Sequence, residues 1–309
     1  MKKKVSIVIP VCNEKGNVPI MILALQHIMQ PLPYDFSITY VDDGSYDGTL
    51  EIIKQQCLQH SNVRFISFSR NFGHQNALKA GLDFSDADCV ITMDGDLQHP
   101  PSLIPDLLKH WEEGFDVVYT IRKDHQEIPL MKRKTSNLFY SVINRLSDIE
   151  LESGTADFRL MDKRVVDIVR NFNEMDLFWR GLVKWLGFKQ KGIEYEPAER
   201  IEGKSKYTYK KMMQLALKGI TSFSTKPLSL AIYLGFLISL LSLLYIPYVV
   251  YSLWFGHPLS GWASMIVTVA FFGGLQLMIL GIIGMYLGKL FMQSKQRPHY
   301  IVKESNLVK

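Results

Sequence analysis

From Pro227 to Gly288 the chain contains no Asp, Glu, Lys or Arg, and His257 is the one imidazole there. Nothing else in the sequence limits the fold as strongly. A helix rises about 1.5 Å per residue, so roughly 20 apolar residues cross a hydrocarbon core. Leu228–Trp254 and Ser264–Gly288 each exceed that length. Between them, Phe255–Ala263 holds Gly256, Pro258 and Gly261, which is turn chemistry. The stretch predicts two membrane-crossing helices joined as a hairpin. Lys204, Lys206, Lys210, Lys211, Lys218 and Lys226 precede it, Lys289, Lys295 and Arg297 follow it, and the turn carries neither Lys nor Arg. The positive-inside rule puts both termini, and the large N-terminal part, on the cytoplasmic side of the inner membrane. Met1-Lys-Lys-Lys leads into Val5–Pro10, too short an apolar run for a secretory signal.

The charge is uneven. Residues 184–226 carry ten Lys or Arg against four Glu, which is +6 in a chain of net +5. Within this basic belt Met212, Leu215, Ala216, Ile220 and Phe223 share one helical face, opposite Lys210, Lys211 and Lys218. That pattern predicts an interfacial helix over 206–226, lying on anionic lipid. The expected organisation is a cytosolic domain over 1–205, the interfacial helix over 206–226, the membrane hairpin over 227–289 and a cytosolic tail over 290–309. Basic residues gathered beside a membrane, without a recognition module, argue against nucleic-acid binding. Cys12, Cys57 and Cys89 form no C-x-x-C pair, so neither a disulfide framework nor a zinc site is indicated.

The soluble part alternates between two periods. Strands are predicted over Lys4–Val11, Phe36–Val41, Val63–Ser67, Cys89–Met93 and Asp116–Thr120. Helices are predicted over Val18–Met29, Thr49–Gln59, His74–Phe84 and Ser102–Glu113. The fold class is α/β, a mainly parallel sheet with helices on both faces. Ligands of such sheets bind beyond the carboxyl ends of the strands. Those ends are acidic here: Asn13-Glu14 after the first strand, Asp42-Asp43-Gly44-Ser45 and Asp47 after the second, Asp94-Gly95-Asp96 after the fourth. Carboxylates crowded on one edge repel unless a cation or hydrogen-bond donors compensate. Hard carboxylate oxygens suit Mg²⁺ or Mn²⁺, and the Gly between Asp94 and Asp96 allows a tight turn against a ligand. There is no G-x-x-x-x-G-K-[ST] and no G-x-G-x-x-G after a strand, which argues against a P-loop NTPase and a dinucleotide oxidoreductase.

Taken together, these motifs resemble glycosyltransferase family 2 with the GT-A fold. The carriers are Val5–Pro10 with Asn13-Glu14, Asp42-Asp43-Gly-Ser45-x-Asp47-Gly-Thr49, Arg70-Asn71-Phe-Gly73-His-Gln-Asn76-Ala-Leu-Lys79 and Met93-Asp94-Gly-Asp96-Leu-Gln98-His-Pro100. Gly154-Thr-Ala-Asp157-Phe-Arg159 and Arg200-x-x-Gly203-x-Ser205-Lys206-Tyr207 continue the match. Within the family the chain is most similar to the polyprenyl-phosphate glycosyltransferases. The resemblance implies inverting transfer of one hexose from a nucleotide sugar, UDP-glucose first, to undecaprenyl or another polyprenyl phosphate. GDP-mannose or a modified aminosugar is the alternative donor, and a non-catalytic membrane adaptor is the alternative of another class.

The resemblance also implies roles. Pro10, Asn13, Glu14, Asp42, Asp43, Ser45, Lys79, Asp94 and Gly95 would bind the nucleotide sugar. Asp94 and Asp96 would hold the Mg²⁺ or Mn²⁺. Asp157 and Asp96 would be catalytic, with Asp157 either a base or a group that orients Arg159 or sugar hydroxyls. Arg122, Arg133, Arg200 and Lys206 would receive the acceptor phosphate, with Lys132 and Lys204 as further candidates. Processive synthases of the wider family carry Q-x-x-R-W, whereas Phe178-Trp179-Arg180-Gly181 has another order, which favours transfer of a single sugar. Gly284-x-x-x-Gly288 permits close helix approach, either within the hairpin or between copies in a homo-oligomer.

Overall fold

The computed structural model describes residues 2–123, 154–175, 177–196, 224–255 and 261–307. Its centre is an eight-stranded sheet in the order β7-β5-β6-β4-β1-β2-β3-β8. Strands β1 (Lys4–Val11), β2 (Asp35–Asp42), β3 (Val63–Phe68) and β4 (Cys89–Thr92) are mutually parallel. Helices α1 (Asn17–Met29), α2 (Thr49–Gln59) and α3 (His74–Asp83) connect them. A 3₁₀ turn at Pro101–Leu103 and helix α4 (Ile104–Glu112) lead to β5 (Val117–Arg122). The sequence predicted one helix from Ser102. Pro105 has no N–H to give a preceding turn, so the α-helix begins one residue before it, with the proline in its first turn.

Strand β6 (Thr155–Asp162) runs antiparallel to both β4 and β5, and β7 (Gln190–Tyr195) is parallel to β5. Helices α5 (Lys163–Arg170) and α6 (Trp179–Trp185) lie between β6 and β7 in sequence. The sheet is therefore mixed, with a parallel centre. Alternation along each strand feeds two cores. Val5, Ile7 and Ile9 pack with Met21, Ile22, Leu25, Leu107 and Trp111 on one face, and Val8 and Val41 pack with Leu78, Leu82, Val165 and Leu182 on the other.

Two long helices follow, α7 (Lys226–Trp254) and α8 (Trp262–Ser294). Ser264–Ser294 is long and apolar enough to cross a membrane, and none of its most apolar stretch is buried. Helix α7 is 29 residues long, and Lys226–Leu241 is its apolar run among the described residues. Tyr286 Oη donates to the Ser224 carbonyl at 2.7 Å, tying α8 to the residues just before α7. The predicted interfacial helix over 206–226 lies almost wholly outside the described residues, as do residues 256–260 of the turn.

The tail returns to the sheet. Strand β8 (Val302–Ser305) pairs antiparallel with β3, covering what would be a bare edge. Tyr300 stacks on Phe68 at 5.1 Å between ring centroids and donates to Asp83 at 2.8 Å, and Lys54 pairs with Glu304 at 2.6 Å.

Candidate active site

Strands β1, β2 and β4 end on the same sheet edge, and their exit loops interlock. Asn13 has a left-handed backbone (φ 58°). Its N–H donates to Ser45 Oγ at 2.9 Å, and its side-chain oxygen accepts from the Tyr46 N–H at 3.0 Å. The Glu14 N–H donates to Thr49 Oγ1 at 2.9 Å, and its carboxylate accepts from Asn17 at 2.6 Å. Asp47 closes the next turn, accepting from the Thr49 N–H at 3.0 Å and from the Lys15 N–H at 3.4 Å.

Asp42 and Asp43 are buried, and their carboxylates shape these loops. Asp42 accepts from the Ser45 N–H at 3.1 Å and Ser67 Oγ at 2.9 Å. Asp43 accepts from the N–H groups of Phe72 at 2.6 Å and Gly73 at 2.9 Å. Burial pushes the Asp43 carboxyl up, against the pull of those two N–H groups. Gly44 between Ser45 and Asp43 has φ +70°, and a Cβ there would lie 2.6 Å from the Arg70 carbonyl carbon. Only glycine fits that position.

Asp94 and Asp96 follow β4. Gly95 is packed so that a Cβ would stand 2.7 Å from Val11 Cγ1 and 3.4 Å from the Pro10 carbonyl oxygen. That contact seats the Asp-Gly-Asp turn on the end of β1, beside Pro10. The Asp94 N–H donates to His99 Nδ1 at 3.0 Å, so the neutral His99 ring carries its proton on Nε2, 3.7 Å from Asp94 Oδ2. His99 stacks on Phe158 at 5.3 Å. Asp96 Oδ1 accepts from the Gln98 N–H at 3.2 Å.

The antiparallel course of β6 brings its first residues to this edge. Thr92 pairs with Arg159, which places Asp157 two residues higher, level with the end of β4. Thr92 Oγ1 donates to the Asp157 carbonyl at 2.6 Å. The Asp157 carboxylate is enclosed by cations. Arg159 reaches Oδ1 at 3.2 Å, Arg180 grips both oxygens at 3.2 Å each, and His74 Nε2 stands 3.7 Å from Oδ2. His74 Nε2 is also 3.4 Å from Asp94 Oδ1, so one imidazole links the two aspartates. Burial alone would raise the Asp157 carboxyl, but Arg180, His74 and Arg159 outweigh it and hold the group well below the carboxylate range. Burial opposes charging of His74, yet Asp157 and Asp94 raise it to about 9. Desolvation lowers the buried Arg159, whose side chain donates to the carbonyls of Ala156 at 3.0 Å and Trp179 at 3.3 Å.

The residues singled out in the sequence fall into four groups. Pro10, Asn13, Glu14, Asp42, Asp43, Ser45, Asp94, Gly95, Asp96 and Asp157 share the edge. Arg122 ends β5 at that edge, exposed, its N–H donating to the Gly154 carbonyl at 2.9 Å. Lys79 does not join them. It is buried on the second turn of α3, where its ammonium donates to Asp83 at 2.5 Å and to the Arg170 carbonyl at 2.7 Å, so its charge holds α3 to α5. Arg133, Arg200, Lys206, Lys132 and Lys204 lie outside the described residues. His74 and Arg180 were not assigned a role from sequence. Each stands inside a quoted motif, but only the fold shows that Trp179, which donates to Gln75 on α3 at 2.8 Å, turns Arg180 toward Asp157.

The fit of a divalent cation can be tested on the carboxylates. Asp94 Oδ1 is buried and takes no hydrogen bond among the described residues. The charged His74 imidazole lies 3.4 Å from it without forming a hydrogen bond, and a hard divalent cation would complete its neutralisation. No group of three or more metal-type side chains gathers among the described residues. Asp94 and Asp96 thus match a Mg²⁺ or Mn²⁺ site of one or two carboxylates that substrate phosphates and waters complete.

The sequence model described as Glycosyl transferase family 2 matches residues 6–169. The chain belongs to that family. It is an enzyme with a GT-A-type mixed sheet, as its strand order and acidic edge already suggest. It is 41% identical over 97% of its length to "Uncharacterized glycosyltransferase YkcC" of Bacillus subtilis (strain 168), covering 93% of that protein. It is 40% identical over 97% of its length to "Bactoprenol glucosyl transferase" of Shigella phage SfV, covering 98% of that protein. Among solved structures, mannosyl-3-phosphoglycerate synthase from Rubrobacter xylanophilus matches 70% of this chain and 71% of its own, at 16% identity and a TM-score of 0.49.

Proposed function

We propose that the chain moves one hexose, glucose from UDP-glucose, onto a polyprenyl phosphate at the cytoplasmic face of the membrane. The observation that carries this reading is the meeting of two unlike clusters on one sheet edge. Asp94 and Asp96 supply hard anionic oxygens, and a few ångströms away Asp157 holds Arg180 and His74 as fixed cations. The first suits a metal-bound diphosphate, and the second suits an anionic acceptor. The near-full-length likeness to relatives named bactoprenol glucosyl transferase supports the lipid acceptor and the glucosyl group.

In this reading Pro10, Asn13, Glu14 and Ser45 cradle the nucleoside, in loops that Asp42 and Asp43 hold in shape. Asp94 and Asp96 would hold Mg²⁺ or Mn²⁺, which when bound neutralises charge on the leaving nucleoside diphosphate. An acceptor phosphate oxygen attacks the anomeric carbon while the bond to the diphosphate oxygen breaks, in one inverting displacement through an oxocarbenium-like state. A phosphomonoester is mostly a dianion at neutral pH, so no proton need be removed. Asp157 is accordingly a positioning residue, its carboxylate taken up by Arg159 and Arg180. Arg122, Arg133, Arg200 and Lys206 complete the acceptor site. Helices α7 and α8 form the membrane hairpin, which confines enzyme and lipid to one surface.

The test is a donor screen. Purified chain in detergent, with polyprenyl phosphate, Mg²⁺ or Mn²⁺ and each of UDP-glucose, UDP-GlcNAc, UDP-galactose and GDP-mannose, should give a lipid of added hexose mass with UDP-glucose. No lipid product with any donor would overturn the reading, and product with another donor alone would overturn the glucosyl assignment.

A further inference from the structure

The soluble domain is fastened to α8 at one place that can be located relative to the bilayer. Gln293 Nε2 donates to the Asn173 carbonyl at 2.7 Å, and Gln293 Oε1 accepts from the Met175 N–H at 2.9 Å. The uncharged stretch ends at Gly288, and Lys289 is the first charge after it. Gln293 lies about 8 Å beyond Gly288 along the helix axis. The interfacial layer of one leaflet is about 5–8 Å thick. Residues 173–175 therefore lie at the depth of the lipid head groups. This rests on the membrane-anchored reading above.

Directly beside this loop stands an aromatic pair the active site does not use. Phe172 precedes Asn173, and its ring lies 6.3 Å from that of Trp185, the last residue of α6. Trp185 is 64% exposed. Trp is enriched where a bilayer meets water, because its ring is apolar and its N–H seeks a polar partner. Lys184 adjoins it in sequence, a cation suited to anionic head groups. Burial raises the Glu174 carboxyl on the anchoring loop, against the pull of the Lys289 ammonium.

We propose that Trp185, with Phe172, is a lipid-contact site that seats the soluble domain on the head-group layer. The occupant is the bilayer surface itself, continuous with the one that α8 crosses. Helix α6 gives the contact a consequence. Its second residue, Arg180, grips Asp157 in the site, and its last residue, Trp185, meets the lipid, about 8 Å further along one short helix. Seating of the domain and placement of the Arg180 guanidinium are then set by the same rigid element.

The experiment uses the full chain reconstituted in vesicles of anionic phospholipid doped with a head-group spin-labelled lipid, which quenches tryptophan at the interface. Wild type and Trp185→Phe are compared, since Phe preserves the exposed ring and the fold. A head-group-quenched component present in the wild type and lost in Trp185→Phe is the expected result. Equal fractional quenching of the two proteins, both floating with the vesicles, overturns the lipid contact and leaves the membrane anchoring intact. Failure of both to float overturns the anchoring, and the contact with it. As a second measurement, Trp185→Glu should raise KM for a long-chain polyprenyl phosphate in vesicles several-fold, with kcat on a short, water-soluble acceptor unchanged. An unchanged KM in vesicles counts against the proposal.

Discussion

Replacing Asp157 by Asn separates two roles for that residue. Its side chain is 8% exposed and that of Arg159 is 4% exposed, so the variant leaves a buried guanidinium without its counter-charge. Breaking a buried pair by removing one partner costs about 3–5 kcal/mol. Arg180 is 33% exposed, so water screens its share and adds little. For a soluble domain of this size about 2–4 °C is lost per kcal/mol, so Asp157→Asn should unfold roughly 6–20 °C lower than wild type. The pH dependence has a definite sign. The folded carboxyl lies well below its ordinary 3.8, so its stabilisation is complete above about pH 4 and fades as pH falls toward the folded value. The amide of the variant cannot titrate, and this part of the acid destabilisation should disappear. The assay is thermal unfolding of the full chain in detergent, followed by near-ultraviolet circular dichroism between pH 3 and 8. A variant that melts within about 2 °C of wild type with the same acid limb, yet transfers no sugar until the pH is raised, would refute the positioning argument and restore the base.

Other outcomes follow from the same geometry. Asp96→Asn should keep the wild-type melting temperature and lose at least a hundredfold in transfer, with the Mn²⁺-dependent change in nucleotide binding abolished in calorimetry. Gly44→Ala must push against Arg70 at a left-handed position, so it should lose about 1–3 kcal/mol of stability and weaken UDP binding, read by thermal shift with and without UDP. Tyr300→Ala removes the ring stacked on Phe68 and the hydroxyl bond to Asp83, and about 3–5 kcal/mol should be lost from the soluble domain while α7 and α8 keep their helical signal in circular dichroism.

How much of this was legible in the sequence depends on range. The parallel strands and the helices between them follow local periodicity, and their ends fell within a residue or two of the observed ones. The acidic strand ends were visible because three separate motifs place carboxylates where strands stop. Strands β6, β7 and β8 were not foreseen. Their segments are short or polar, as in Gln190-Lys-Gly-Ile-Glu-Tyr195, and take their conformation from the neighbour they pair with. The part of the site that the sequence left undecided has the same cause. Whether Asp157 is a base or a partner of arginines depends on Arg180 arriving from another helix, and whether Lys79 reaches a phosphate depends on Asp83 one helical turn away. A charge in a motif reveals its sign, whereas its partner is a property of the packing.

Strand β8 has a consequence for biosynthesis. The ribosome delivers it only after both long apolar helices, yet it must seat on β3, whose residues were made more than two hundred positions earlier. Until then the rim of β3 is unoccupied and able to recruit any extended stretch of polypeptide. Completion of the sheet is thereby postponed until α7 and α8 have been translated, and a chain interrupted before Val302 would carry an adhesive flank.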